Sequence, residues 1–189
     1  DQILDTFNNN RDNYNLLFQL PTGGGKTVIF SELTKRFILA KGKKVLILTH
    51  RIELLAQTSS MLTEIGVPNK VINAKVKDLD DGEDHWCYVA MVETLNNRIN
   101  EEAMEFEDLG LVIVDEAHYN SFRKLFKHFN EQALLGVTAT PLSSNIKLPL
   151  HDNYNELIVG ESISSLVDQN YLARAHTYNY DVNLKALKV

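Results

Sequence analysis

The chain has 189 residues, 44% hydrophobic and 23% charged, so it can bury a core and is too apolar to be disordered by charge. Its net charge of −6, from 19 Lys and Arg against 25 Asp and Glu, excludes a generally basic coat and leaves only a local site for nucleic acid. One cysteine, Cys87, excludes a disulfide framework, and apolar runs of only a few residues exclude a membrane span.

Short β-rich runs alternate with longer stretches of helical periodicity up to Pro141. In chain order, the predicted elements are a strand at 16–20, a helix at 27–40, a strand at 45–49, a helix at 52–65, strands at 71–74 and 86–91, a helix at 93–100, a strand at 111–114, a helix at 122–130 and a strand at 133–138. The inner side of the first helix is predicted to hold Val28, Ile29, Leu33, Phe37 and Ile38. This alternation is typical of βαβ units and predicts an α/β fold, a parallel sheet with helices on both faces.

The periodicity weakens after Pro141. Residues 142–156 are predicted to be a surface excursion. Ser162 is predicted to cap a short helix that runs through residue 169, because its hydroxyl can accept a backbone N–H of the first turn. Residues 171–180 are predicted to form a last strand.

Two acidic segments and the chain end complete the predicted organisation. Residues 75–85 and 101–108 are predicted to be solvated, and the first of them lacks the ligand spacing of a calcium loop. We expect one domain over residues 1–180 and a linker over residues 181–189.

A glycine-rich segment lies between the first predicted strand and the first predicted helix, the context that a phosphate-binding Walker A loop requires. Glycines let backbone N–H groups turn toward phosphate, and the helix N-terminus adds a positive dipole end. The candidate nucleotide-binding residues are Pro21, Thr22, Gly23, Gly24, Gly25, Lys26 and Thr27. Lys26 is placed to meet the β- and γ-phosphates, and Thr27 to hold Mg²⁺. Leu20 stands where the general pattern has glycine, and the alternative is a flexible glycine turn that only precedes a helix.

A second candidate motif follows the apolar strand predicted at 111–114. Asp115 and Glu116 end this strand, and open α/β sheets bind ligands at the carboxyl ends of their strands. We predict that Asp115 binds Mg²⁺ and that Glu116 orients and deprotonates an attacking water, with Lys26 as the third catalytic residue. The alternative is that the two carboxylates only cap the next helix.

The two motifs together resemble the DEAH-box branch of the superfamily 2 helicases and translocases, since residues 115–118 read Asp-Glu-Ala-His. Further segments are similar to family motifs in the family's order: motif Ia at 49–57, a segment near motif Ib at 89–95, motif III at 137–141, and, at 160–172, the end of the first domain in the repair-helicase and restriction-translocase (RadD-type) subgroup. Glu93 stands where the segment near motif Ib commonly has Gln. The resemblance covers nearly the whole chain.

This resemblance implies a RecA-like P-loop domain that binds ATP and Mg²⁺ in an ATP-dependent motor on nucleic acid, DNA more than RNA. It also implies a second RecA-like domain, absent from this sequence, that supplies arginines for hydrolysis. The family's adenine-side motif looks cut off before Gln2. We therefore expect the isolated chain to bind nucleotide and hydrolyse it hardly at all. An intracellular protein, cytoplasmic or nucleoid-associated, with no membrane partner is expected.

The resemblance also implies roles outside the two motifs. His118, Thr138 and Thr140 are expected to couple the γ-phosphate to the nucleic-acid track, although hydroxyls at a strand end also serve simply to satisfy backbone groups. The candidate contacts to nucleic-acid phosphates are His50, Arg51, Thr94 and Arg98. A surface ion pair with Glu53 is the alternative role for Arg51.

Two other functions fit parts of the pattern. One is a P-loop enzyme of another class, such as a kinase or an unrelated ATPase, against which the segments resembling motifs Ia and III argue. The other is a nucleotide-binding module with no turnover of its own. Intact Lys26, Thr27, Asp115 and Glu116 argue against that module for the whole protein.

Overall fold

A computed structural model of the chain describes residues 2–10, 13–76, 79, 84–101, 104–176 and 178. The helices are α1 (Gln2–Asn9), α2 (Lys26–Lys41), α3 (Ile52–Glu64), α4 (Val92–Asn100), α5 (Arg123–Phe126) and α6 (Ile163–Asp168). The strands are β1 (Leu16–Gln19), β2 (Lys44–Thr49), β3 (Asn69–Ile72), β4 (Cys87–Met91), β5 (Leu109–Asp115), β6 (Ala133–Thr138) and β7 (Glu156–Val159). Within these described residues, no helix is both long and apolar enough to cross a membrane.

The seven strands form one sheet, with every neighbouring pair parallel, in the order β3-β4-β2-β5-β6-β1-β7. The central strands β5 and β6 are buried over their whole length, as expected for a sheet that is covered on both faces. Parallel strands carry their carboxyl ends to one edge of the sheet. The segments that follow β1, β2, β5 and β6 therefore meet at that edge, and they contain most of the predicted site residues.

Two hydrophobic cores cover the two faces of the sheet. The first contains Phe30 of α2 and Leu62 of α3. The second contains Leu95 of α4 and Leu125 of α5, with Phe122 before it. All five side chains are at most 1% exposed. The predicted α/β architecture with helices on both faces is confirmed.

The inner side of α2 differs in part from the prediction. Leu33 and Phe37 are buried as predicted, but Val28 and Ile29 are 53% and 37% exposed. Phe30 takes the core position instead. Residues 28–30 are three consecutive apolar residues, so periodicity alone does not predict which of them faces the sheet. In the structure the largest of the three, Phe30, is the buried one.

The helix predicted at 122–130 is much shorter in the structure. A 3-10 turn at Asn120–Phe122 leads into the single helical turn of α5, and residues 127 and 128 form a turn. The prediction depends on aromatic residues at helical spacing. Of these, Phe122 and Phe129 are buried, so they pack in the core without a continuous helix between them.

Within the part of the chain that the structure describes, the last strand lies earlier than predicted. It is β7, within the segment predicted to be a surface excursion, whereas residues 171–176 and 178 form no strand. Only Ile158 of β7 is buried, because β7 is an edge strand that, among the described residues, pairs with β1 alone. The predicted Ser162 cap is confirmed, since its Oγ accepts the N–H of Ser165 at 3.1 Å. The predicted linker, 181–189, lies outside the described residues.

Smaller corrections concern β3 and the acidic segments. Strand β3 begins and ends two residues before the predicted range of 71–74. Met104 is only 8% exposed and Phe106 packs against the second core, so the segment at 101–108 is not wholly solvated. Leu79 also packs there, whereas residues 77, 78 and 80–83 of the other acidic segment lie outside the described residues.

Candidate nucleotide-binding site

The glycine loop, residues 21–25, joins β1 to the N-terminus of α2. Gly23 and Gly25 both have a φ of +81°, a left-handed conformation that favours glycine. Helix α2 begins directly after Gly25, and no side chain caps this end. The first-turn N–H groups and the positive end of the helix dipole are therefore available to an anion.

The glycine loop packs closely against its surroundings. A Cβ on Gly23 would lie 2.9 Å from Cδ2 of Leu172, and a Cβ on Gly24 would lie 3.2 Å from Cδ1 of Leu166 in α6. Leu20, which replaces the glycine of the general pattern, is 3% exposed and is therefore a core residue beneath the loop. The sequence does not predict the contacts of Leu166 and Leu172, because no local pattern indicates that so distant a segment packs here.

A carboxylate pair lies at the end of β5, which only β6 separates from β1. Asp115 is 6% exposed, and its Oδ1 accepts the N–H of Glu116 at 3.0 Å. Glu116 has a φ of 53°, a left-handed conformation that is rare for residues other than glycine. Nζ of Lys26 lies 3.8 Å from Oε1 of Glu116. The structure thus brings together the three residues predicted to be catalytic.

Burial and the neighbouring Glu116 carboxylate raise the pKa of Asp115 from 3.8 to about 6. Lys26 and the hydrogen bond from the Glu116 N–H act in the opposite direction but do not compensate. Two carboxylates with a single ammonium group form a site that a cation would stabilise.

The residues present fit Mg²⁺ held together with a phosphate ligand. Among the described residues, no group of three or more His, Cys, Asp or Glu side chains could hold a metal ion alone. Mg²⁺ usually binds through one or two carboxylates and completes its shell with substrate phosphates and water. Asp115, with Thr27 on the first turn of α2, matches that donor set.

The three residues predicted to couple ATP to nucleic acid form one network. Nδ1 of His118 lies 2.9 Å from Oγ1 of Thr138 and 3.4 Å from Oε2 of Glu116. The same Thr138 hydroxyl accepts the Thr140 N–H and donates to the Thr140 carbonyl, each at 3.1 Å. Because the Thr138 hydroxyl donates its own proton to the Thr140 carbonyl, only the tautomer of His118 with a proton on Nδ1 can hydrogen-bond to it. The Thr138 hydroxyl also satisfies backbone groups, so it has the structural role of a strand-end hydroxyl as well.

The candidate nucleic-acid residue His50 is placed differently from a simple phosphate donor. Both ring nitrogens are buried and have no hydrogen-bond partner among the described residues. Burial, and to a lesser extent Arg51, lower the pKa of His50. The imidazole packs against Tyr119, with ring centroids 4.4 Å apart. Tyr119, which no sequence pattern indicates, also contacts His118 at 4.3 Å.

The other three candidates lie at the start of α3 and on α4. Arg51 is exposed and directly precedes α3. Thr94 is half-buried in the first turn of α4. Arg98 donates to the Ala74 carbonyl at 2.7 Å and lies 4.0 Å from Glu101, so its guanidinium is already engaged.

The fold and this site together define a class of protein. A parallel sheet with a glycine loop at a helix N-terminus, and a carboxylate pair two strands away, is the RecA-like arrangement of a helicase-type ATPase domain. A family model for the type III restriction enzyme res subunit matches residues 1–143, and the chain belongs to this family.

Curated relatives point to the same class. IRC3 of Saccharomyces cerevisiae, which is assigned as an ATP-dependent helicase, is 33% identical over 82% of this chain and 24% of its own length. A 51.5 kDa protein of a Lactococcus phage is 27% identical over 92% of this chain and 34% of its own length. The ATP-dependent DNA helicase MPH1 of Scheffersomyces stipitis is 26% identical over 69% of this chain and 14% of its own length. The chain therefore spans about a third or less of these relatives.

Solved structures confirm the fold. The type ISP restriction-modification enzyme LlaGI, solved with a DNA substrate mimic, superposes with a TM-score of 0.67 and 18% identity, over 89% of this chain and 19% of that one. The Hef helicase domain of Pyrococcus furiosus superposes with a TM-score of 0.61 and 21% identity, over 85% of this chain and 38% of that one. The predicted RecA-like fold is confirmed.

Proposed function

We propose that this chain is the first motor domain of a DEAH-box helicase or translocase of the RadD-type subgroup, and that it binds Mg-ATP at the glycine loop. The observation that carries this proposal is the meeting of Lys26, Asp115 and Glu116 beside an uncapped helix N-terminus. A positive helix end, one ammonium group and a buried carboxylate are complementary to a phosphate chain with its cation.

Each residue has a proposed role in ATP hydrolysis. Backbone N–H groups of residues 21–27 bind the phosphates, and Lys26 neutralises the β- and γ-phosphates. The hydroxyl of Thr27 and the carboxylate of Asp115 hold Mg²⁺, which supplies charge neutralisation when bound. Glu116 then orients the attacking water and accepts its proton, a role that its present ion pair with Lys26 must release.

Efficient hydrolysis is proposed to require a second RecA-like domain. None of the ion pairs that Asp115 or Glu116 makes among the described residues involves an arginine. An arginine supplied from outside is worth about 10³ or more in rate in related phosphoryl-transfer sites. The chain also covers only 24% of IRC3, which leaves room for such a domain in the relatives.

The proposed track is nucleic acid, and DNA rather than RNA. The names of two proteins that this chain resembles support DNA: MPH1 is a DNA helicase, and LlaGI was solved with a DNA substrate mimic. Exposed Arg51 and the first turn of α4 with Thr94 are the proposed phosphate contacts. His50 would support its neighbour Arg51 through packing, and Arg98 would bind only after leaving its present partners.

Nucleotide binding by the 189-residue chain tests this proposal. A fluorescent ATP analogue with Mg²⁺ should bind the native chain, and Lys26→Ala should weaken binding at least tenfold. Lys41→Ala, at the exposed far end of the same helix, is the matched control and should bind as the native chain does. ATP turnover should stay near the uncatalysed rate with or without single-stranded or duplex DNA.

Three other results would each contradict part of the proposal. Binding that does not depend on Lys26 would remove the phosphate site from the glycine loop. Robust Lys26-dependent turnover that DNA does not change would indicate a self-sufficient P-loop enzyme of another class. Binding without turnover in the longer protein that holds both domains would indicate a nucleotide-binding module.

A further inference from the structure

The ring of Tyr119 lies between two imidazoles at the edge of the sheet where the site residues meet. Its centroid is 4.4 Å from that of His50, with the ring planes at 51°, and 4.3 Å from that of His118, with the planes at 36°. Tyr119 is 37% exposed. The three rings form a continuous row that joins the end of β2 to the turn after β5.

The His118 end of this row contacts the carboxylate of Glu116, the proposed catalytic residue. Nδ1 of His118 is 3.4 Å from Oε2 of Glu116 and 2.9 Å from the Thr138 hydroxyl. The backbone N–H of Tyr119 also donates to the Glu116 carbonyl at 3.0 Å. Tyr119 is therefore connected to Glu116 through its backbone and, by way of the His118 ring, to the carboxylate that forms the ion pair with Lys26.

The His50 end of the row is held in another way. Neither ring nitrogen of His50 has a hydrogen-bond partner among the described residues, and both are buried. Hydrogen bonds thus do not fix this imidazole, and its ring packs against Tyr119. His50 is covalently joined to Arg51, the exposed cation of the proposed nucleic-acid contact.

We propose that Tyr119 is a positioning residue that transmits the state of the nucleotide site from Glu116 and His118 to His50 and Arg51. This inference rests on the proposed function, because it assumes that nucleotide rearranges Glu116. The transmission runs through ring contacts, so it requires an aromatic side chain at position 119 and does not require the hydroxyl.

Nuclear magnetic resonance of the histidine ring protons in the 189-residue chain tests the proposal. The measured quantity is the chemical-shift change of His50 and His118 when Mg²⁺ and a non-hydrolysable ATP analogue are added. In the native chain and in Tyr119→Phe, both histidines should respond. In Tyr119→Leu, His118 should respond as before, and the His50 response should fall to the smaller part that the charges of Glu116 and His118 produce directly. Tyr178→Leu, at an exposed tyrosine, is the matched control and should behave as the native chain does.

Nucleotide affinity and nucleic-acid affinity supply the second readout. A single-stranded oligonucleotide is titrated with and without the ATP analogue, and the ratio of the two Kd values measures the coupling. A ratio of about fivefold or more in the native chain is typical of coupled sites. Tyr119→Leu should bring the ratio to one without changing nucleotide affinity, and Tyr119→Phe should restore it.

The failure of the inference and the failure of the proposed function are distinguishable. A His50 response that keeps its native size in Tyr119→Leu overturns the inference and leaves the proposed function intact. A native His118 that does not respond to nucleotide overturns the proposed function, and the inference with it. A Tyr119→Phe variant that behaves as Tyr119→Leu does shows that the hydroxyl acts, which also overturns transmission by ring contact.

Discussion

Replacement of Asp115 by asparagine should stabilise the fold, and by an amount that grows with pH. Burial raises the pKa of this carboxyl from 3.8 to about 6, and a tenfold change in an equilibrium constant corresponds to about 1.4 kcal/mol. The ionised carboxylate therefore costs the native state about 3 kcal/mol. Asparagine keeps the Oδ1 acceptor for the Glu116 N–H and removes only the charge.

The sign of the pH dependence follows from proton binding. Between about pH 4 and pH 6 the unfolded chain has released this proton while the folded chain still holds it. The free energy of unfolding of the native protein thus falls as pH rises through this window and levels off above it. Asp115→Asn lacks that contribution, so its advantage should be small near pH 4 and approach about 3 kcal/mol above about pH 6.5.

Urea denaturation of both proteins from about pH 4.5 to about pH 8 measures this difference directly. Asp168→Asn, whose side chain is 72% exposed, is the matched control for the loss of one carboxylate. Magnesium with an ATP analogue should stabilise the native chain and not Asp115→Asn. A difference between native and Asp115→Asn that is constant across this range would refute the raised pKa, whatever its absolute size.

Four further substitutions test packing and backbone conformation. Tyr154→Phe should raise the thermal midpoint by the equivalent of about 1 kcal/mol. The reason is that the Tyr154 hydroxyl is buried without a hydrogen-bond partner among the described residues. A lower midpoint would show that the hydroxyl does have a hydrogen-bond partner. Gly136→Ala should lower the free energy of unfolding by about 1–3 kcal/mol or more. The added Cβ would lie 2.6 Å from the Tyr154 ring. Unchanged stability would contradict that contact. Gly23→Ala should weaken ATP-analogue binding about tenfold, because a left-handed φ costs an alanine about 1–2 kcal/mol. Leu172→Ala should relieve only the steric part of the Gly23 defect, and full recovery would show that φ is unimportant.

The parts of the fold that the sequence predicts well are those whose signal is local. Strand β6 has the bounds predicted for it, and the prediction for β5 covers its apolar centre. Both strands are buried on both faces, so nearly every residue is apolar and the pattern is unambiguous. The glycine loop lies where it is predicted, between β1 and α2, because glycine before Lys-Thr at a strand–helix junction is a strong local pattern.

The failures occur where tertiary contacts decide the structure. Edge strand β7 buries only Ile158, so its sequence resembles a surface segment. The start of α2 has three consecutive apolar residues, 28–30, and only packing against the sheet selects Phe30 over Val28. The sequence of the site indicates which residues carry chemistry but not which of them touch. The Lys26–Glu116 ion pair and the place of Tyr119 depend on which strands lie side by side.

The carboxylate pair combines two unfavourable features at one point of the sheet. Glu116 holds a left-handed backbone conformation that costs a non-glycine residue about 1–2 kcal/mol, and Asp115 is buried where ionisation is disfavoured. The hydrogen bond from the Glu116 N–H to Asp115 and the bond from the Ala117 N–H to the Val137 carbonyl, at 3.0 Å each, hold this geometry. Strain of this kind persists only where the surrounding structure fixes it, and it concentrates at functional sites. A bound cation would remove the charge penalty at Asp115, so relief of that penalty would add to the binding energy of the proposed Mg-ATP ligand.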